Sequence, residues 1–219
     1  MNPQNTNLHM DTEGTHLVSS YEGLGPNKKG DRYFPYLCES HKLTIGYGHV
    51  LAPNESYPIG LTMQEAEALL ARDLVRYENQ VKRDCKIPLT AYEFRALTSL
   101  DFNTGEAPLF GTMGKFLNAG NLTQAAAHFL DWVMAGPDSN HLHVSEGLVR
   151  RRLCEANYFL HGKLEIVDSY SDMIAMLDKL TAEKVLNRFD RYNVVRKQKP
   201  AIIRPTRALA FLDASESRC

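Results

Sequence analysis

The chain has 219 residues, of which 43% are hydrophobic and 23% charged, and its formal net charge is -1. This composition suits one globular domain of ordinary size with an appendage and excludes a disordered polar chain. A balance so close to neutral excludes whole-molecule attraction to nucleic acid or membrane, so any charge effect is local.

Residues 1–10 read as a loose tail, and a short helix is predicted over about 12–21, with Gly23 as its stop just beyond Glu22. Gly25 to Asp31 is rich in turn formers and reads as a loop. Residues 33–50 alternate and carry Tyr, Phe, Thr and Ile, which predicts a β-hairpin or small sheet turning at 39–42. Gly46 and Gly48 bracket Tyr47 and suggest a close backbone approach or a bulge. From Leu61 the period becomes helical. Thr62-x-x-Glu65 is a capping box, followed by the stripe Met63, Ala66, Leu70, Tyr77 and Val81. Pro88 breaks the pattern, and Thr90-x-x-Glu93 is a second capping box ahead of Phe94, Leu97 and Leu100.

Further helices are predicted from about Thr112 to Gly120, from Thr123 to Val133 with Ala126, Phe129, Leu130 and Val133 inward, and from Ser145 to Gly162. The last of these turns Val149, Leu153, Ala156 and Leu160 inward. The loop around Gly136, Pro137 and Asn140 separates the last two. Residues 168–192 form one long helix or two short ones, with Met173, Met176, Leu177, Leu180 and Leu186 as the stripe. Between Arg188 and Arg207 seven basic residues face one acid, Asp190. The fold class is therefore α+β, with a small N-terminal sheet packed on a helical bundle and a helical C-terminal extension. The cleft between sheet and bundle is the default ligand site.

The four cysteines, Cys38, Cys85, Cys154 and Cys219, have no paired or metal-type spacing, and His141-x-His143 reads as part of a polar loop, so no metal is expected. Residues 1–16 lack the basic start and apolar core of a secretory signal, and no run reaches transmembrane length. Synthesis in the cytoplasm with reduced thiols is expected, with delivery by another component.

The chemistry lies in a pattern of glutamate, cysteine and threonine. Tyr21-Glu22-Gly23 is followed after fifteen residues by Cys38, and after five more by Thr44-Ile45-Gly46-Tyr47-Gly48-His49. Cleavage of a glycosidic bond needs a proton donor for the leaving oxygen and a group on the opposite face to activate water or stabilise positive charge. A glutamate at a helix end facing a hairpin can serve as that acid.

From Val18 to Gly162 the chain resembles the phage-type lysozymes, the endolysin group of glycoside hydrolase family 24. The resemblance rests on the two motifs above and on Pro35-Tyr36-Leu37-Cys38. It continues through Leu61-Thr62-x-x-Glu65-Ala66-Glu67, Ser99-Leu100-x-Phe102-Asn103-x-Gly105, Trp132, and Gly147-Leu148-Val149-Arg150-Arg151-Arg152 with Glu155-Ala156. It implies a lysozyme-like domain over 17–163, after a tail at 1–16 and before an extension at 164–219.

Carried over by position, it implies Glu22, Cys38 and Thr44 as the catalytic set, with Glu22 as acid. The gap from Cys38 to Thr44 is that of the family. The gap from Glu22 to Cys38 is longer, and the surplus fits segment 25–31. The family's usual gap is the one separating Glu22 from Asp31, so Asp31 stands as an alternative second residue. Asn103, Tyr47 and Gly46 are the implied substrate-binding positions. Arg151 or Arg152 is expected to pair with Glu22, and His49 with Asp73. Trp132 is expected in the core.

The implied activity is a muramidase that hydrolyses the β-1,4 bond between N-acetylmuramic acid and N-acetylglucosamine without a cofactor. The alternatives are a lytic transglycosylase and a non-catalytic peptidoglycan-binding module. Peptidoglycan is the expected partner of a monomeric protein. An anionic envelope is expected to contact 188–207, and a holin or a secretion system would supply release or delivery to the periplasm or cell wall. Specific nucleic-acid binding is not expected of the basic segment.

Overall fold

The computed structural model describes residues 1–38, 41–105, 107–136 and 141–186. A short 3-10 turn, Pro3–Asn5, comes first. The segment expected as a loose tail is pinned to the loop before the second capping box. Asn5 is fully buried, donates to the Ile87 carbonyl at 2.9 Å and accepts from the Leu89 N–H at 2.9 Å, and Asn2 donates to the Lys86 carbonyl. Side-chain amides substitute here for missing backbone partners.

Helix α1 (Thr12–Glu22) starts where the Asp11 carboxylate accepts the Gly14 N–H, and ends at Gly23, whose φ of 66° favours glycine. Strands β1 (Lys28–Lys29) and β2 (Arg32–Tyr33) form a small antiparallel hairpin inside the segment read as a loop. Its anchor is distant in sequence: Tyr33 and Leu61 exchange both backbone hydrogen bonds, at 2.7 and 2.8 Å, and the Arg32 guanidinium donates to the Ile59 and Gly60 carbonyls. Strands β3 (Tyr36–Leu37), β4 (Leu43–Ile45) and β5 (His49–Val50) make the expected sheet in the order β3-β4-β5, all antiparallel. In its register Tyr36 pairs with Thr44 and Ile45 with His49. Glu39 and Ser40 of the expected turn lie outside the described residues.

The long helix α2 (Met63–Asp84) and helix α3 (Ala91–Thr104) both begin in complete capping boxes. Helices α4 (Ala107–Phe110), α5 (Thr112–Asn118) and α6 (Leu122–Ala127) follow, and α6 tightens into a 3-10 turn at His128–Asp131. The predicted helix over 123–133 is thus shorter than its pattern. The chain instead opens into β6 (Met134–Ala135), paired with β7 (His143–Val144). Helix α7 (Glu146–His161) is capped by Ser145 and stopped by a left-handed Gly162, and α8 (Tyr170–Ala182) begins at the Ser169 cap.

Apolar side chains gather in two clusters. One holds Ile45, Tyr47, Leu61, Ala66, Leu70, Leu74, Tyr77 and Phe102, joining the sheet to the first half of α2. The other fills the bundle with Phe94, Leu97, Leu100, Phe129, Val149, Leu153 and Phe159. Helix α2, about 33 Å long at 1.5 Å per residue, serves both, since Val81 and Cys85 reach the second cluster. Met63, expected in the stripe, is 56% exposed: it shares that face but is the first helical residue, beyond the end of the core. Trp132 is partly buried against the bundle. Helix α1 also serves both cores: Leu17 enters the bundle and Val18 the sheet cluster. Glu22, at the end of α1, therefore sits at the seam between the two.

Helix α8 places Met173, Met176, Leu177 and Leu180 in the bundle's own core, together with Val167, Val185 and Leu186. The part of the expected extension up to residue 186 thus packs as one more helical layer. The basic stretch 188–207 lies outside the described residues.

Candidate active site

Glu22 ends α1 with its side chain 16% exposed, and its Oε1 accepts from Arg151 Nη1 at 2.5 Å. Among the described residues its other carboxylate oxygen has no hydrogen-bond partner. The chain leaving Glu22 turns directly onto the sheet, where the Gly25 N–H donates to the Gly46 carbonyl at 3.1 Å. A Cβ on Gly25 would lie 2.2 Å from Cε1 of Tyr36, so only glycine lets that ring lie against the backbone. Burial first, and then the charge of Glu22, push the Tyr36 phenol above its ordinary pKa. Tyr36 is thus near the Glu22 carboxylate and pairs across the sheet with Thr44.

Thr44 is fully buried and its hydroxyl donates to the Lys42 carbonyl at 3.1 Å, which leaves it only acceptor capacity. Cys38 continues β3, with its N–H donating to the Lys42 carbonyl at 3.0 Å. Strand alternation then puts Tyr36, Cys38 and Thr44 on one face of the sheet. The thiols were expected to be reduced. Cys85 and Cys154 are indeed free and buried, but Cys38 is disulfide-bonded. A disulfide sulfur is neither a base nor a nucleophile toward sugar, so thiol chemistry at Cys38 requires reduction first. Asp31 is exposed in the β1–β2 turn, on the inserted hairpin and not on the Tyr36–Thr44 face.

The arginines run inward from α7. Arg151 is 3% exposed, and besides Glu22 it reaches Glu155 Oε1 through Nε at 3.0 Å and the Ser99 carbonyl through Nη2 at 3.3 Å. Burial alone would lower its pKa; Glu22 and Glu155 outweigh that and raise it. Arg152 is fully buried and donates to Glu155 Oε1 and to Asn103 Oδ1, both at 3.0 Å. Burial draws its pKa down to about 10, and the neighbouring Arg151 charge adds to that. Of the two candidates, it is Arg151 that pairs with Glu22.

His49 and Asp73 meet as expected, with Nδ1 to Oδ2 at 2.9 Å. The sequence reading missed the third member, Glu55, whose Oε2 lies 2.9 Å from His49 Nε2 and whose Oε1 accepts from Tyr57 at 2.7 Å. The hydrogen bond to Asp73 raises the His49 pKa against the effect of burial. The bonds from His49 and Tyr57 bring Glu55 down to about 2. Tyr47 and Gly46, expected at the substrate, are occupied in packing. Tyr47 is 8% exposed in the sheet cluster, and a Cβ on Gly46 would already touch Ala66 of α2 at 3.4 Å. Together with Ile45 they seat the sheet on α2. Glu155 and Ser99, present in the sequence only as motif residues, are the other groups whose part in the site sequence reasoning missed. The spacing of Arg151 and Arg152 from Glu155, four and three residues along one helix, was the available signal.

A carboxylate clamped by a buried arginine, facing a small sheet at the seam of two cores, defines a lysozyme-like arrangement able to deliver a proton to a bound polysaccharide. The phage lysozyme family model matches residues 26–155. That match includes Cys38, Thr44, Asn103, Arg151, Arg152 and Glu155 and begins just after Glu22. The chain is 33% identical over 155 residues to an endolysin of Acyrthosiphon pisum secondary endosymbiont phage 1, covering 69% of this chain and 98% of that protein. It is 34% identical over 158 residues to an endolysin of Bacillus phage B103, covering 71% of this chain and 56% of that one. Among solved structures, the muramidase domain of SpmX from Asticaccaulis excentricus superposes with a TM-score of 0.60 at 30% identity, over 70% of this chain and 99% of that one. The endolysin from Escherichia coli O157:H7 phage FAHEc1 gives 0.62 at 26% identity, over 73% and 98%. The chain belongs to the phage lysozyme family.

Proposed function

We propose that this protein is a peptidoglycan-hydrolysing muramidase that cleaves the β-1,4 bond between N-acetylmuramic acid and N-acetylglucosamine, with Glu22 as general acid. The observation that carries this reading is the Glu22 carboxylate, held by Arg151 through one oxygen at the end of α1 and near enough to Tyr36 of the sheet for its charge to raise that phenol's pKa. Its other oxygen, in the protonated carboxyl form, gives its proton to the leaving glycosidic oxygen and is left as part of the carboxylate. Thr44 is fully buried with its hydroxyl hydrogen committed to Lys42, so it orients a water as an acceptor only once substrate binding exposes its oxygen. Cys38 assists only as a reduced thiol. Asn103, with Oδ1 taken by Arg152, offers its amide hydrogens to the sugar.

The enzyme acts on the cell wall as a monomer without a cofactor. It is made in the cytoplasm and released by a pore-forming or secretion partner, with 188–207 contacting anionic envelope. The test is clearing of isolated sacculi by the wild type and by Glu22→Gln. Loss of clearing with sacculus binding retained supports the reading, whereas clearing by Glu22→Gln refutes it.

A further inference from the structure

Glu155 is a fully buried carboxylate that touches no part of the cleft surface, yet it organises both arginines of the site. Its Oε1 accepts from Arg151 Nε and Arg152 Nη2, each at 3.0 Å, and from the Ser99 hydroxyl at 2.6 Å. Its Oε2 lies 2.7 Å from Arg152 Nε, off the line of that N–H. One of these arginines then grips Glu22 and the other grips Asn103. Two like charges side by side in a desolvated interior repel. A buried ion network of this kind contributes little net stability compared with apolar packing of the same volume. What it supplies is direction, because each guanidinium is planar and fixed by several bonds at once.

We infer that Glu155 is a positioning residue: it locks Arg151 and Arg152 so that Glu22 and Asn103 meet the same sugar polymer in fixed relation. This inference rests on the reading of Glu22 as the acid. The titratable groups packed around Glu155 are Tyr21 and Glu22 from α1 and Arg151, Arg152 and Cys154 from α7, with the Ser99 hydroxyl facing it from α3. With a neutral side chain in place of Glu155, Glu22 is the one anionic partner left to the two guanidiniums among the described residues, so they favour its ionised form and the rate falls at a lower pH on the alkaline side.

The experiment is steady-state hydrolysis of soluble peptidoglycan fragments by the full chain and by Glu155→Gln, Ser99→Ala and Glu22→Gln, each checked for folding by circular dichroism. In folded Glu155→Gln, kcat is expected to drop roughly 10- to 100-fold with KM changed less than about threefold, and the alkaline limb of the pH–rate profile moves to lower pH. Should Glu155→Gln fail to fold, Ser99→Ala removes one bond to Oε1 and only a hydroxyl. It is expected to lower kcat by about threefold at unchanged KM. An unchanged kcat in a folded variant, or a loss that follows the unfolded fraction with the pH profile unmoved, overturns the inference. Activity in Glu22→Gln would instead overturn the acid reading beneath it, so the two failures are distinguishable.

Discussion

Leu177 lies on α8, beyond the region where the sequence resembles known lysozymes, and is fully buried in the bundle core. Replacing it with alanine removes three carbons from a contact layer that also holds Met173, Leu180 and Val167. Leucine-to-alanine changes at such sites cost about 2–5 kcal/mol, depending on how far the cavity collapses. Since α8 packs as an outer layer, partial collapse is available and a cost of about 3 kcal/mol is expected. For a chain of this length, that corresponds to a fall in Tm of roughly 6–12 °C. The assay is a thermal melt and a urea titration of the full chain, followed by far-UV circular dichroism. Ile59→Ala serves as control because that side chain is 69% exposed. The control is expected to stay within about 0.5 kcal/mol. A shift below 2 °C on the order set by that control, or a separate low-amplitude transition with the main one unmoved, would show that α8 is an independent appendage and would refute the packing argument.

The His49, Asp73 and Glu55 cluster makes stability pH-dependent on both sides. His49 has a raised pKa in the folded protein, so its contribution is complete below the unfolded histidine value of about 6.5 and is lost as pH rises through the folded value. Glu55 is lowered from 4.5 to about 2, so its contribution is present above 4.5 and lost as pH falls toward about 2. Tm measured against pH is expected to peak between these limits, and Asp73→Asn is expected to flatten the alkaline side; an unaltered alkaline slope contradicts the pairing. At Cys38, Cys38→Asp is expected to clear sacculi equally well with and without reductant, because a carboxylate cannot form the disulfide. The wild type is expected to gain activity on reduction. If Cys38→Ser matches the reduced wild type, the thiol has no chemical role.

The parts of the fold that sequence exposed most clearly are those encoded locally. Both capping boxes of α2 and α3 form, because Thr62 with Glu65, and Thr90 with Glu93, need only their own helix turn to bond. The stops at Gly23 and Gly162 follow from positive φ, again a local demand. The His49–Asp73 pair and the grip on Glu22 by one arginine of α7 were also legible, through motifs of fixed order.

What could not be read depends on distant partners. The β1–β2 hairpin forms in a loop-like segment because Tyr33 finds Leu61 and Arg32 finds Ile59 and Gly60. Tyr47 looks like an exposed cleft residue between two glycines, but the seating of the sheet on α2 buries it. Glu155 stands at helical spacing from both arginines, and only the packing of α7 on α3 turns that spacing into a buried network with Ser99. The pinned N-terminus was hidden for the same reason, since Asn5 bonds to Ile87 and Leu89 across the fold.

Hydrolysis at a muramic acid linkage driven by Glu22 is read directly in the products of digestion. Mass spectrometry of fragments released from purified sacculi by the full chain is expected to show reducing N-acetylmuramic acid ends, each carrying the added water, and none from Glu22→Gln. Fragments ending in 1,6-anhydromuramic acid would contradict hydrolysis and identify a transglycosylase, and reducing N-acetylglucosamine ends would place the cut at the other linkage.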